Sequence, residues 1–297
     1  MGYNAPWMGK FTAAGLKTIT SPQNPLIREL LRIKKAPSRR AFLIEGPHLV
    51  EAALESGAAL QAVLLSAGFL ARYKEGEKGE FLDSLKRVLG TRLFEAPGPL
   101  FNRLAETKTP QGILAWCSYE EVKLQALRAS GPALIAISDG IKEPGNLGAL
   151  IRAADAAGAD ACIVTPGSVS VFSPKTLRAS AGSFFHLPVI EAGTEELWRY
   201  FREKKILLAG ADAHAGKSLY GADLRAPVAI AFGSEAHGLS QEFLARADML
   251  LRIPVRGRAE SLNVGAAAAV FLFEAIRQRE SSSPNPLPSG RGFHKRL

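Results

Sequence analysis

The chain has 297 residues, 47% of them hydrophobic and 22% charged, ample for packed cores and long enough to favour two domains over one. No stretch of about 18 consecutive apolar residues appears, which argues against a membrane-spanning helix, and the only two cysteines, Cys117 and Cys162, lack metal-ligand spacing, which disfavours a disulfide framework or a zinc site. The formal net charge of +9 is an end feature: residues 1–40 hold eight Lys/Arg and one acid, residues 281–297 hold Arg291, Lys295 and Arg296 and no acid, and residues 41–280 carry −1.

The opening MGYNAPWMGKFTAAGLK lacks the apolar core of a secretory signal, so residues 1–17 read as a flexible extension of a cytoplasmic protein. Residues 18–118 read as a small α/β unit. Pro25 to Lys35 is a basic helix, "AFLIEG" (41–46) a short strand, and "PHLVEAALESG" (47–57) a helix that starts at Pro47 and stops at Gly57. "AVLLS" (62–66), "TRLFEA" (91–96), "GPLFNRLAET" (98–107) and "GILAWCS" (112–118) add strand, strand, helix and strand. The cations Arg28, Arg32, Lys34, Lys35, Arg39 and Arg40 suit a polyanion, nucleic acid first; the alternative is a solvated face. Residues 119–131 are charged and weakly periodic, a linker or a bridging helix.

From Ala133 strand-length apolar runs alternate with helical segments over residues 132–280: "ALIAIS", 146–158; "ACIVT", 173–181; "LPVIEA", 194–205; "ILLAGA"; "PVAIAFG", 240–247; "MLLRIP", 261–279. Continuous apolar strands between helices predict a parallel sheet covered on both faces, with ligands at the carboxyl ends of its strands. The tail 281–297, SSSPNPLPSGRGFHKRL, is rich in Ser, Pro and Gly and reads as a disordered basic segment.

Three strand ends carry polar groups. After "AIS", Asn146 sits between Gly145 and Gly148 at a helix start, with Arg152 six residues on; the pair reads as a helix cap and a surface cation, or as ligand-binding groups. After "PVAIAF", Glu235 lies in a tight glycine-flanked turn, able to cap backbone N–H groups or to hold a ligand or a partner's Arg; His237 beside it offers a base but in such a turn reads as a bystander more often than a catalyst. After "LLRIP", Ser261 and Asn263 open a helix whose first turns are narrow, Ala266 to Ala269. No phosphate loop of the GxxxxGK[ST] type and no GxGxxG is present, which disfavours an ordinary dinucleotide fold.

"NLGALIRAADAAGA" (146–159), "FGSEAHGLS" (232–240) and "IPVRGRAESLNVGAAAA" (253–269) resemble motifs one, two and three of the SpoU/TrmH RNA 2'-O-methyltransferases, in the family's order and spacing. "FLIEGPHLVEAALESG" (42–57) with "TPQGILA" (109–115) resembles the L30e-like substrate-binding domain often joined to them. Ala236 stands where the family commonly has Gly, and Gly265 where it often has Ser. The resemblance covers roughly residues 20–280 and implies a C-terminal domain with a deep trefoil knot, S-adenosylmethionine as cofactor, no metal, RNA as substrate and a homodimer packed through the knot. It assigns the cofactor to Ala209, Gly210 and Ala211; to Phe232, Gly233, Glu235 and Gly238; and to Ile253, Pro254, Ser261, Leu262, Asn263 and Ala267. It gives Arg152 the central catalytic and RNA-contacting role, oriented by Asn146, with Glu235, Ser261 and Asn263 supporting the site. Ribosomal RNA is the expected substrate, with tRNA as the alternative. A non-catalytic RNA-binding protein with a vestigial site and a nucleotide-dependent enzyme of ordinary topology remain as readings from other classes; binding of S-adenosylmethionine discriminates against both.

Overall fold

A computed structural model describes residues 16–73, 76–129 and 131–281. All but the last two residues of the expected N-terminal extension, and all of the basic tail except Ser281, lie outside these. The described chain forms two compact units, one running to Glu121 and taking in Ser170–His186, the other holding Val122–Val169 and continuing from Leu187.

The first unit contains β1 (Lys17–Thr18), α1 (Pro25–Lys35), β2 (Phe42–Glu45), α2 (Pro47–Glu55), β3 (Ala59–Ser66), α3 (Ala67–Arg72), α4 (Gly76–Leu89), β4 (Leu93–Ala96), α5 (Gly98–Leu104) and β5 (Ile113–Ser118). The order in its sheet is β1-β4-β3-β5-β2, with β2 and β3 antiparallel to β5. Helix α1 begins where the Asn24 side chain accepts from Leu26 N at 2.9 Å and Pro25 fixes the first turn. Its buried face, Leu26, Ile27, Leu30 and Ile33, joins Leu43, Leu64 and Phe101 in one core. Helices α3 and α4 have no counterpart in the sequence reading, because few apolar residues mark α4 within a charged, glycine-interrupted run; Leu82, Leu85 and Leu89 supply its buried face.

The second unit contains β6 (Leu134–Asp139), α6 (Pro144–Ala156) and β7 (Ala161–Val164). The chain then enters the first unit for α7 (Pro174–Ala179) and returns for β8 (Val189–Glu191), α8 (Thr194–Lys204), β9 (Leu207–Ala211), β10 (Lys217–Ser218), β11 (Val228–Gly233), α9 (Gln241–Arg246), β12 (Met249–Arg252) and α10 (Val264–Ser281). The continuous run expected over 132–280 is therefore interrupted. Ser170–His186 groups with the first unit because Phe172 and Phe184 pack on Phe42, with ring centroids 5.2 and 5.9 Å away. Residues 119–131 supply neither a strand nor an α-helix among those described; Leu124–Ala126 makes one 3₁₀ turn, with Leu124 buried in the core of the second unit.

The seven strands of the second unit are all parallel, in the order β10-β12-β9-β11-β6-β7-β8. Strands β6 and β11 are buried along their whole length, which accounts for their unbroken apolar sequence. Strand order reverses beside β6, with β7 on one side and β11 on the other, so the ligand crevice of such a sheet falls at the ends of β6 and β11. In register, Gly233 of β11 lies opposite Asp139 of β6.

Helix α10 spans about 27 Å at 1.5 Å per residue and runs back toward the amino ends of the strands. Near its last turn the Arg279 guanidinium donates to the carbonyls of Pro132 (2.6 Å), Ala133 (3.0 Å), Leu224 (3.2 Å) and Ala226 (3.0 Å). It thereby satisfies backbone acceptors just before β6 and β11. Ala133 O also accepts from Val228 N at 2.8 Å; replacing Arg279 with Ala removes the donor given to the carbonyls of Pro132, Leu224 and Ala226, and we expect a loss of about 1–3 kcal/mol, read as a lower urea midpoint. Arg279→Lys should recover less than half of it, because one ammonium cannot reach four carbonyls. A midpoint unchanged in Arg279→Ala contradicts the anchoring role.

Candidate functional site

Three segments distant in sequence meet at the carboxyl edge of the seven-stranded sheet. Helix α6 starts at Pro144, with Glu143 in the capping position, so Asn146 is its third residue and does not cap it. Its side chain turns outward instead. Asn146 Nδ2 donates to Glu235 Oε1 at 2.5 Å, and Asn146 Oδ1 accepts from Asn263 Nδ2 at 2.7 Å. Asn263 Oδ1 in turn accepts from Gly265 N at 2.9 Å and satisfies a free donor of the first turn of α10. Each amide donates through nitrogen and accepts through oxygen, so the direction of the chain Glu235–Asn146–Asn263–Gly265 is fixed.

The loop that carries Glu235 closes on itself. Ser234 N donates to Gly238 O and Gly238 N to Ser234 O, each at 2.9 Å. Gly238 has φ +66, and a Cβ on Gly233 would fall 2.0 Å from the Gly238 carbonyl carbon, so only glycine fits at 233. Asp139 secures the far side of this loop, its Oδ2 accepting from Ser240 N at 2.6 Å. Burial pushes the Asp139 carboxyl above the ordinary aspartate range, opposed by its bonds to Ser240. The sequence reading passed over Asp139; its signal was an acid closing the apolar strand "ALIAIS" just before Gly140.

Helix α10 starts at Val264, three residues later than expected, because Asn263 supplies its cap. Ser261 lies outside the helix, exposed in the preceding loop. The close approach foreseen from the alanines falls mainly on Gly265, where a Cβ would sit 2.6 Å from Ala149 Cβ. Ala268 is buried, Ala267 half-buried and Ala266 exposed. Ala149 lies one helical step, i+3, from both Asn146 and Arg152, so α10 docks on α6 between the two. Arg152 is exposed, and among the described residues no hydrogen bond or ion pair occupies its guanidinium.

The remaining candidates divide by environment. Ala209 is paired on both sides in the middle of β9, and Phe232 is 2% exposed, edge-on to Phe271 at 5.7 Å; these two belong to the sheet and the core. A Cβ on Gly210 would lie 2.7 Å from both Leu239 Cδ1 and Leu250 Cδ2, so that glycine admits loop and strand side chains over β9. Ala211 stands at the strand end. Ile253 is half-buried and Pro254 exposed, while Val255 and Leu262 are each 40% exposed, leaving apolar surface beside the amide network. Among the first-unit cations, Arg32 is committed to Glu29, Arg28 to Gln23, Arg39 to Glu121 and Lys34 to the carbonyls of Arg103 and Ala105. Lys35 and Arg40 are exposed. A cleft of about 290 Å³ opens elsewhere, at the ends of β7 and β8, lined by Thr165, Ser168 and Glu191 among others.

An all-parallel sheet with a polar network at the ends of β6 and β11, in a chain that also builds a separate small α/β unit, is the arrangement of a two-domain α/β protein with a ligand-binding sheet edge. Comparison with known proteins narrows this. Residues 133–273 match the SpoU rRNA methylase family and residues 24–115 the MRM3-like substrate binding domain. The chain is 31% identical over 261 residues to the 23S rRNA (guanosine(2553)-2'-O)-methyltransferase RlmP of Bacillus subtilis, covering 87% of this chain and 98% of that one. Among solved structures, an RNA 2'-O ribose methyltransferase superposes with a TM-score of 0.74 at 38% identity, covering 88% and 99%. An AdoMet-bound rRNA methyltransferase from Sinorhizobium meliloti gives a TM-score of 0.76 at 28% identity, covering 88% and 98%. The chain belongs to the SpoU methylase family.

The raised Asp139 carboxyl has a measurable consequence. A carboxyl whose folded pKa exceeds its unfolded value adds stability that is full below the unfolded value, about 3.9, and is lost as pH rises through the folded one. Asp139→Asn retains an oxygen for Ser240 N but no longer titrates. The stability of the variant minus that of the parent should therefore fall as pH drops from neutral into mild acid. Urea titrations at the two pH values check this; a difference that grows in acid reverses the sign.

Proposed function

We propose that the protein transfers a methyl group from S-adenosylmethionine to a ribose 2'-OH of ribosomal RNA. The observation that carries the reading is the chain from Glu235 through Asn146 to Asn263, which joins the three motif stretches at the crevice of the sheet. Relatives support ribosomal over transfer RNA: besides RlmP, the chain is 29% identical over 254 residues to a 23S rRNA (uridine(2479)-2'-O)-methyltransferase of Streptomyces viridochromogenes.

The residues present suit S-adenosylmethionine. The exposed Val255 and Leu262 offer apolar contacts, and the loops over 233–238 and 253–263 bring backbone donors and acceptors to the same edge. When bound, the sulfonium supplies an already activated methyl group. The task left to the chain is positioning, which in well-oriented systems is worth effective molarities of about 10⁵–10⁸ M. Arg152 stays protonated and cannot serve as a base; it binds a substrate phosphate and stabilises the developing alkoxide, while the proton leaves to water or an RNA oxygen. Asn146 holds Glu235 and Asn263 in register, and Ser261 adds a hydroxyl at the loop.

The same reading includes a cytoplasmic homodimer and a trefoil knot at the end of the second unit. The return of α10 to α6 after β12 has paired beyond β9 supports the knot. Tyr220 and Phe273, 58% and 49% exposed, supply apolar surface for a dimer. The unoccupied guanidinium of Arg152 supports a reach into the site of the partner.

Arg152→Ala should leave S-adenosylmethionine affinity nearly intact and lower methyl transfer more than tenfold, about 1.4 kcal/mol. Mixed with Asn263→Ala under conditions of subunit exchange, it should regain part of the activity, since some heterodimers then contain one complete site. A monomer in sedimentation at micromolar concentration overturns the dimer, and an exchanging dimer without rescue overturns the cross-subunit role.

A further inference from the structure

Glu45, the acid that ends β2, lies in the first unit, outside the amide network of the sheet edge. It is 9% exposed within a strand that is otherwise apolar. Its carboxylate accepts from Glu106 N at 2.7 Å, from Thr107 N at 3.3 Å and from the Thr107 hydroxyl. All three donors are uncharged. A buried carboxylate held by neutral groups carries a desolvation cost that an apolar residue of the same volume avoids. If the sheet needed only packing at this position, Leu or Val would serve better. What the carboxylate secures is the start of the segment 105–112, "AETKTPQG".

The other end of that segment is held as firmly. Arg72 Nη2 donates to Gln111 O at 2.7 Å. Gly112 has φ +91, and a Cβ there would fall 2.3 Å from Ser66 Oγ. Gly46, with φ +100, leaves room for the Gln111 side chain, whose Oε1 would be 2.9 Å from a Cβ at 46. Just upstream, Lys34 Nζ caps α5 through the carbonyls of Arg103 and Ala105 and lies 3.5 Å from the Glu106 carboxylate. Between these fixed ends Lys108, Thr109 and Gln111 are exposed. The only acid within the segment, Glu106, faces Lys34 at 3.5 Å, and Lys108 is the exposed cation of the segment itself, with Arg103 exposed just before it.

We propose that Lys108, Thr109 and Gln111 form an RNA contact of the first unit, with Glu45 as the positioning residue that sets the loop. Lys108 pairs with a phosphate, and the Thr109 hydroxyl and Gln111 amide bond to sugar or base edges. A loop fixed at both ends loses little conformational freedom on binding, which raises affinity without added contacts. The inference rests on RNA being the substrate and names which surface of the first unit meets it.

The test uses the full chain and protein-free large-subunit ribosomal RNA, with affinity measured across potassium chloride concentrations. Lys108→Ala should weaken binding and reduce the log–log salt slope by about 0.7–0.9, one phosphate contact. Gln111→Ala should weaken binding with the slope unchanged. Glu45→Gln should raise KM for RNA with kcat nearly constant, also without a slope change, because no cation is lost. S-adenosylmethionine affinity should stay at the parental value in all three. If Glu45→Gln does not fold, the two exposed variants still decide. Unchanged RNA affinity and slope in Lys108→Ala and Gln111→Ala overturn the proposal, and a protein partner for this surface then becomes the better account. Failure of the parent to bind S-adenosylmethionine or methylate the RNA is a different result, which overturns the function and not the contact.

Discussion

The Asn146 side chain donates to Glu235 and accepts from Asn263, so one amide ties α6, the loop after β11 and the start of α10. Neither neighbour has an equivalent substitute. If Asn146 were aspartate, its oxygen would face the Glu235 carboxylate, and if it were leucine, Glu235 and the Asn263 amide would both lose a partner. Glu235 and Asn263 are exposed, so water can replace a lost partner, and what such a change removes is the fixed geometry between the three segments. The network therefore sets the relative placement of the loops on which the proposed chemistry depends.

Close backbone approach is what makes this meeting sterically possible. Gly265 on Ala149, Gly233 inside the Ser234–Gly238 turn, and Gly210 beneath Leu239 and Leu250 each occupy a place where a Cβ would lie under 3.0 Å from a neighbour. A Cβ on Gly265 would lie 2.6 Å from Ala149 Cβ, so Ala149 and Gly265 form one packing unit between α6 and α10. Asp139 completes the frame from beneath by holding Ser240 N, which fixes the loop at the end opposite Glu235.

Both units use a buried acid to fix a loop at a strand end. Asp139 closes the loop over 233–240, and Glu45 fixes the segment over 105–112. In each case the carboxylate accepts backbone N–H groups that sheet pairing cannot satisfy, and in each case the loop presents polar residues outward. Loops carry binding groups well when a rigid scaffold positions them, and a carboxylate can reach two or more donors at once.

Local sequence determined most of the elements. Pro25 and Pro47 marked helix starts that the structure keeps, the unbroken apolar runs of β6 and β11 marked central parallel strands, and the three motif stretches marked the polar edge. These properties depend on neighbours within a few residues, which is the range over which backbone propensity and hydrophobic period act. Helix α4 is weakly marked in the sequence because three leucines, Leu82, Leu85 and Leu89, carry its buried face within a charged run. Tertiary structure decided what propensity cannot encode. Asn146 was suited to capping α6, yet it sits within the first turn and bonds residues 89 and 117 positions away. Ser261 fell outside α10, since Asn263 alone could reach Gly265 N. Segment 170–186 joined the first unit because Phe42 offered Phe172 and Phe184 a place to pack. Each of these outcomes was set by a partner brought close only when the sheets had formed.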